Sequence, residues 1–167
     1  WNKDSTLKLI YVGSGHASDP YFQAMQARME NNFAPGVARV LGWVSDEDYE
    51  LYLQACDVSV QLRTRSRGET SAAVLHALAY GVPTLVNAHG TFTELDDQAV
   101  VKIADPVSTP ELAAALHRLR VDAELRDALQ AHALSPSQQT IPGQGVGFAN
   151  GPMFDQAMRQ GLQTQGH

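Results

Sequence analysis

Residues 67–95 read RGETSAAVLHALAYGVPTLVNAHGTFTEL. They divide into a Gly-Glu-Thr-Ser turn, a short helix of small residues, a Gly-Val-Pro stop, a buried strand at residues 84–86 and a loop carrying Gly90. In a doubly wound α/β sheet such a turn sits at the C-terminal end of a parallel strand, where ligands bind. The free N–H groups and the dipole at the start of the following helix favour an anion there. The first expectation is a phosphate-bearing ligand.

Working upstream, residues 57–62 (DVSVQL) read as the strand that feeds this turn. Before it, Ser45 and Asp48 form a capping pair for a helix whose Tyr49, Tyr52 and Leu53 face inward. Residues 37–43 (VARVLGW) give another strand. Residues 7–12 (LKLIYV) are a nearly continuous apolar run of the kind a buried parallel strand shows, ending in Gly13-Ser14-Gly15. Asp19-Pro20 opens a helix running to about residue 32, with Phe22, Met25, Met29 and Phe33 as one apolar stripe. Downstream, residues 100–103 (VVKI) predict a strand, followed by helices over residues 109–119 and 122–133. Strands and helices alternate throughout, so the expected fold is α/β, a Rossmann-like doubly wound parallel sheet occupying residues 1–134.

The composition changes after Leu134. SPSQQTIPGQGVGFANGP, residues 135–152, is rich in Gly, Pro and Gln, and reads as a linker or disordered stretch. Residues 135–167 are therefore set apart as a tail, with one short helix over residues 153–162.

The chain has 167 residues, enough for one domain with a real core. A formal net charge of −6 argues against a general nucleic-acid surface, so any phosphate site must be a local basic cluster. Cys56 is the only cysteine, which excludes an internal disulfide and fits a reducing compartment. No apolar run approaches the ~18 residues of a membrane span, and WNKDSTLK at the start has no signal-peptide core. A soluble, cytoplasmic protein without a transmembrane segment is expected. No Cys/His cluster has metal spacing, and no HExxH, GxSxG or GxxxxGK[ST] motif occurs, so neither a metal nor a cofactor is expected.

The candidate site is built around the turn. The amides near Thr70 and Ser71 would hold a phosphate, and Glu69 would accept hydrogen bonds from sugar hydroxyls; the same residues also read as an ordinary helix N-cap. His76 lies two helical turns after Glu69 on nearly the same face. It reads equally as a ligand contact or as a satisfied, partly buried polar residue. Arg63, Arg65 and Arg67 alternate, so a strand continued that far would put them on one side as a phosphate clamp; the other reading is a solvated loop. Gly13 and Gly15 would let backbone approach a ligand, although Ser18 breaks a full dinucleotide fingerprint. Trp43 in Gly42-Trp43-Val44 would flank a base or pack at the rim, and residues 90–94 would form another turn at the same edge.

Taken in order, Tyr11-Val12-Gly13-Ser14-Gly15, Val40-Leu41-Gly42-Trp43-Val44, Ala55-Cys56-Asp57-Val58, GETSAAVLHALAYGVPTLV and Gly90…Glu94-Leu95 resemble the C-terminal, donor-binding domain of GT-B glycosyltransferases. The retaining family 4 group, with its mannosyl- and rhamnosyl-type enzymes of cell-surface polysaccharides, is the most similar. The resemblance covers about residues 7–130. Its most specific part is LHALAYGVP, residues 75–83, against the family pattern Leu-Glu-Ala-x-Ala-x-Gly-x-Pro.

The resemblance implies one half of a GT-B fold that binds a nucleotide-diphosphate sugar as donor substrate, without a metal. By that analogy Gly42, Trp43 and Val44 lie near the base, Thr70 and Ser71 meet the diphosphate or sugar, and Gly13 and Gly15 approach the donor. Arg63 and Arg67 supply charge for the phosphates, Glu69 is the catalytic residue, and His76 meets ribose or sugar. The chain departs from the family in three ways. Gly68 and His76 stand where the family carries two glutamates, with Glu69 displaced by one residue. The family's preceding strand and helix, with an Arg and a Lys on the diphosphate, have no counterpart here, nor does the N-terminal acceptor domain. The tail does not match the family's closing helix.

The expected function is therefore transfer of a sugar, mannose or rhamnose, to a polysaccharide or lipid-linked acceptor. The parent enzyme would be cytoplasmic or at the inner face of the cell membrane, and this fragment alone would be inactive. Two other classes remain: a non-catalytic GT-B-like interaction module, and another GT-B enzyme such as a nucleotide-sugar epimerase.

Overall fold

The computed structural model describes residues 6–13, 18–65 and 71–135. The tail beyond Ser135, with its expected helix, lies outside the described residues. The chain divides into two compact units, Trp1–Tyr52 and Leu53–His167.

In the first unit, β1 (Leu9–Val12) and β2 (Ala38–Gly42) pair in parallel around α1 (Pro20–Asn32). Asp19 caps α1 by accepting the Tyr21 N–H at 2.8 Å, and Pro20 at the first helical position loses no bond, because that N–H has no intrahelical acceptor. Phe22, Met25, Met29 and Phe33 are the half-buried residues of this helix and its C-cap, so the apolar stripe forms as read. A register shift falls between Tyr11 and Val12, and the Gly13 N–H donates to the Gly42 carbonyl at 3.0 Å. One expectation needs correcting. The run at residues 7–12 is not a fully buried strand: Ile10 is 45% and Tyr11 37% exposed. Among the described residues β1 has one strand beside it, β2, and a strand loses its water only when neighbours cover both faces. The helix α2 (Asp46–Ala55) runs from this unit into the next, with the Ser45 hydroxyl accepting the Asp48 N–H at 3.1 Å. Leu53 is buried, and Tyr49 and Tyr52 are half-buried.

In the second unit, β3 (Ser59–Gln61), β4 (Thr84–Asn87) and β5 (Val100–Ile103) form a parallel sheet in that spatial order. Between them run α3 (Ala72–Ala79) and a 3-10 turn (Gly90–Glu94), followed by α4 (Thr109–Val121) and α5 (Ala123–Ala133). The central strand β4 is buried at all four positions. Its side chains alternate, as a pleated strand requires. Val86 packs with Val74 of α3, Phe92, Ala99 and Val100, while Leu85 packs with Ile103, Leu119 of α4 and Leu129 of α5. Helices thus cover both faces of this sheet, and the two apolar clusters are its core. No helix among the described residues is long and apolar enough to cross a membrane.

The stop after α3 is a Schellman motif. The Val82 N–H reaches back to the Ala77 carbonyl at 2.8 Å and the Gly81 N–H to that of Leu78 at 2.9 Å. Closing this pair puts Gly81 at φ +66, and an added Cβ would lie 2.9 Å from Leu134 Cδ1.

A second local device ends β3. Its ladder with β4 stops at Gln61 opposite Val86. Beyond it the Arg63 N–H donates to Asn87 Oδ1 at 2.8 Å, and Asn87 Nδ2 donates to the Arg63 carbonyl at 2.7 Å. The Asn87 side chain takes the place of a backbone partner, so the alternating strand expected through Arg63, Arg65 and Arg67 is not formed. The same Nδ2 donates to Asp105 Oδ1 at 3.0 Å, and Asp105 Oδ2 lies 2.6 Å from His89 Nδ1. These bonds, from His89 first and Asn87 second, hold the Asp105 carboxyl below its ordinary pKa.

Replacing Gly81 with Ala forces an L side chain into the left-handed region and should cost about 1–2 kcal/mol. The reading is a lower urea midpoint at unchanged slope; an unchanged midpoint would refute the assignment of this cap. Because the folded pKa of Asp105 is lowered, its pairing stabilises the fold fully above the ordinary carboxylate pKa. That contribution is lost as pH falls through the lowered folded value. Urea midpoints measured against pH should therefore show a shallower acid arm in Asp105→Asn than in the wild type, and identical arms would exclude the pair as a source of stability.

Candidate functional site

The carboxyl ends of β3, β4 and β5 bring together the loop carrying Arg63, the start of α3, the 89–94 turn and Asp105. Ser71 caps α3 in an extended conformation (φ −78, ψ 114), and its hydroxyl accepts the Val74 N–H at 3.5 Å. The Ser71 carbonyl takes the Leu75 N–H at 3.1 Å, so the helix is under way while the amides of Ala72 and Ala73 have no intrahelical acceptor. Ser71 is buried, which makes the cap part of the packed structure. Its long hydroxyl bond leaves the helix start polarised toward whatever occupies the edge.

Arg63 is fixed twice. Asn87 brackets its main chain, and its guanidinium lies 4.8 Å above the centroid of the Phe92 ring. A stacked guanidinium keeps its in-plane N–H donors directed outward from the ring edge, the geometry that suits phosphate oxygens. Phe92 itself is buried in the 3-10 turn, whose first carbonyl, that of His89, accepts the Phe92 N–H at 3.2 Å. At the far end of the turn, Lys102 Nζ donates to the carbonyls of Thr93 and Leu95 and pairs with Asp97 at 2.8 Å. This lysine is committed to the turn.

The residues singled out from the sequence fall into three groups. Arg63, Ser71 and His76 belong to the second unit. His76 sits half-buried within α3, two residues after Val74, with its Nδ1 enclosed and its remaining contacts made elsewhere. Gly13, Trp43 and Val44 belong to the first unit, at the C-terminal ends of β1 and β2; Trp43 is 68% exposed and Val44 half-buried. Gly15, Arg67, Glu69 and Thr70 lie outside the described residues, as does Gly68. Arg65 is described and exposed. The expected turn at residues 90–94 forms as one turn of 3-10 helix. Among the described residues no three His, Cys, Asp or Glu side chains are placed to hold a metal ion.

Sequence reasoning missed Asn87, Asp105 and His89. Asn87 gave the one available signal: a polar residue ending the fully apolar run of a buried strand must find partners. Nothing in the sequence pairs it with Arg63, or Asp105 with His89.

The family profile described as glycosyl transferases group 1 matches residues 1–122. Among curated proteins none matches the sequence significantly. Solved structures do. HepE of Anabaena in complex with UDP superposes with a TM-score of 0.70 at 15% identity, covering 96% of this chain and 42% of HepE. The HepE complex with UDP-glucose gives 0.69 at 16% identity, with the same coverage. Sucrose-phosphate synthase of Thermosynechococcus elongatus gives 0.66 at 18% identity, covering 95% of this chain and 38% of the synthase. The chain thus spans less than half of each of these proteins. They are GT-B glycosyltransferases, and the parallel α/β organisation seen here corresponds to a Rossmann-like half of that fold. Profile, fold and the polar carboxyl edge of the sheet agree, and the chain belongs to the glycosyl transferases group 1 family.

Proposed function

We propose that this chain is the donor-binding half of a retaining, family 4-like transferase. It moves a sugar, mannose or rhamnose, from a nucleotide-diphosphate sugar to a polysaccharide or lipid-linked acceptor. The observation that carries this reading is the loop leaving β3. One end holds Arg63, fixed by Asn87 and Phe92, and the other enters the Ser71-capped start of α3. A fixed cation and a helix N-terminus on one loop form the kind of surface that binds a diphosphate.

The chemistry asked of the protein is modest. The glycosidic bond of the donor breaks as the diphosphate departs, so catalysis comes from orientation and from balancing the charge that develops on the leaving group. In this reading Arg63 and Arg67 meet the phosphates, with the amides after Ser71 and the hydroxyls of Thr70 and Ser71 beside them. Glu69 accepts hydrogen bonds from sugar hydroxyls as the catalytic residue, and His76 faces ribose or sugar. Gly13 and Gly15 come close to the donor, with Trp43 and Val44 near the base. No metal or cofactor is invoked. The acceptor half is supplied by residues outside this chain, and the fragment alone does not transfer sugar. The parent works in the cytoplasm, meeting its acceptor at the inner face of the cell membrane. HepE, similar in fold, was solved with UDP and UDP-glucose, which puts uridine nucleotides first among the donors to try.

Ligand-detected NMR with UDP, GDP, ADP and dTDP and their sugars should show selective uptake of one base. Arg67→Ala should weaken that binding roughly tenfold through loss of one charge-assisted contact. Silence across the panel in a protein carrying both halves would discard the donor site and favour a non-catalytic module, for which Gly68 and His76 in place of glutamates are the motive. In the complete enzyme Glu69→Ala should abolish donor use with little loss of stability. Surviving activity would remove Glu69 from its role, and turnover of the nucleotide-sugar without an acceptor would point to an epimerase.

A further inference from the structure

Asn87, Asp105 and His89 form a hydrogen-bonded chain with one direction. Asn87 Oδ1 accepts the Arg63 N–H, which fixes the orientation of the amide, so both Nδ2 hydrogens are donors. One goes to the Arg63 carbonyl and the other to Asp105 Oδ1 at 3.0 Å. Asp105 then accepts on both oxygens, and His89 Nδ1, 2.6 Å from Oδ2, must carry a proton. The two imidazole nitrogens point in nearly opposite directions. With Nδ1 turned to Asp105, Nε2 is directed away from the network, and among the described residues it makes no hydrogen bond. The His89 side chain keeps 24% of its surface exposed. An oriented imidazole is thus presented at the carboxyl edge of the sheet, with a carboxylate behind it that stabilises its cationic form.

We propose that His89 is a further ligand-binding residue of this site, giving its Nε2–H to a non-bridging oxygen of a nucleoside diphosphate, with Asp105 as the residue that positions it. This rests on the nucleotide-sugar reading given above. Two links tie His89 to Arg63. Asn87 bonds both the Arg63 main chain and Asp105, and Phe92, whose ring carries the Arg63 guanidinium, is anchored by its N–H on the His89 carbonyl. Shifting one side chain therefore shifts the support of the other. Protonated His89 and Arg63 offer only donors, so the ligand between them must bring acceptors and negative charge, as phosphate oxygens do. A neutral sugar hydroxyl matches this pair less well, because it leaves the two positive charges without a counter-charge.

The test compares the four nucleoside diphosphates UDP, GDP, ADP and dTDP with their parent nucleosides, by calorimetry or ligand-detected NMR, on wild type, His89→Ala and His89→Arg. His89→Ala should weaken the preferred diphosphate about tenfold and leave its nucleoside unaffected, and His89→Arg should recover most of the loss. Wild-type affinity for the diphosphate in His89→Ala would overturn the assignment. So would an equal loss for diphosphate and nucleoside, which marks a purely structural role. In the unsubstituted protein, the ¹⁵N resonance of His89 Nε2 should move on adding the preferred diphosphate and stay still with the nucleoside. A resonance indifferent to both would overturn the proposal even if the variants fail to fold. Uptake of no nucleoside diphosphate by the wild type overturns the nucleotide-sugar reading and this proposal together. Wild-type binding that does not involve His89 overturns this proposal alone.

Discussion

The second unit depends on how one buried amide is satisfied. Asn87 ends β4 with no exposure to solvent, so its side chain must find protein partners for its oxygen and both hydrogens. It takes them from the two chain segments that leave the neighbouring strands: Arg63 after β3 and Asp105 after β5. Removing a partner would strand a buried polar group, at roughly 1–3 kcal/mol each. The loops at the carboxyl edge are therefore held in register with the core. The position of Arg63 follows from a bond made in the interior, and its guanidinium is left to rest on Phe92.

The same edge shows how cations are divided between structure and ligand. Lys102 is engaged by two carbonyls and Asp97, so its charge closes the 3-10 turn and is unavailable to a ligand. Arg63 meets an aromatic face, which steadies the guanidinium without neutralising it. Asp105 carries the local negative charge and spends it on His89 and Asn87. In a chain of net charge −6, this sorting is what allows a locally positive surface to persist at the end of a parallel sheet.

Burial separates the two units. In β4 the apolar sequence and the observed burial agree, because α3 and the 3-10 turn cover one face and α4 and α5 the other. In β1 they diverge: Ile10 and Tyr11 carry the residues of an interior strand and yet remain exposed. Val60 at 39% and Leu62 at 41%, in and just beyond β3, show the same divergence at the other strand with a single neighbour among the described residues. Apolar character at these positions records what a covered strand requires, and cover is a property of neighbours.

Much of the fold was legible because it is written in local rules. Asp19-Pro20, Ser45, Ser108-Thr109-Pro110 and Gly81 start or stop helices through contacts within a few residues, and period-two apolar runs placed all five strands. The start of α3 was readable to within two residues for the same reason, with Ser71 as its cap. The 105–89 and 87–63 pairs were not legible, since each joins residues far apart in sequence through side chains that no local pattern couples. The sequence by itself determined the alternation of strand and helix, the family and the loop on which a phosphate would be sought. Only the tertiary structure decided that Arg63 leaves the strand ladder and that His89 is turned by Asp105. A buried amide and a carboxylate choose their partners by proximity, and proximity exists only once the strands have paired.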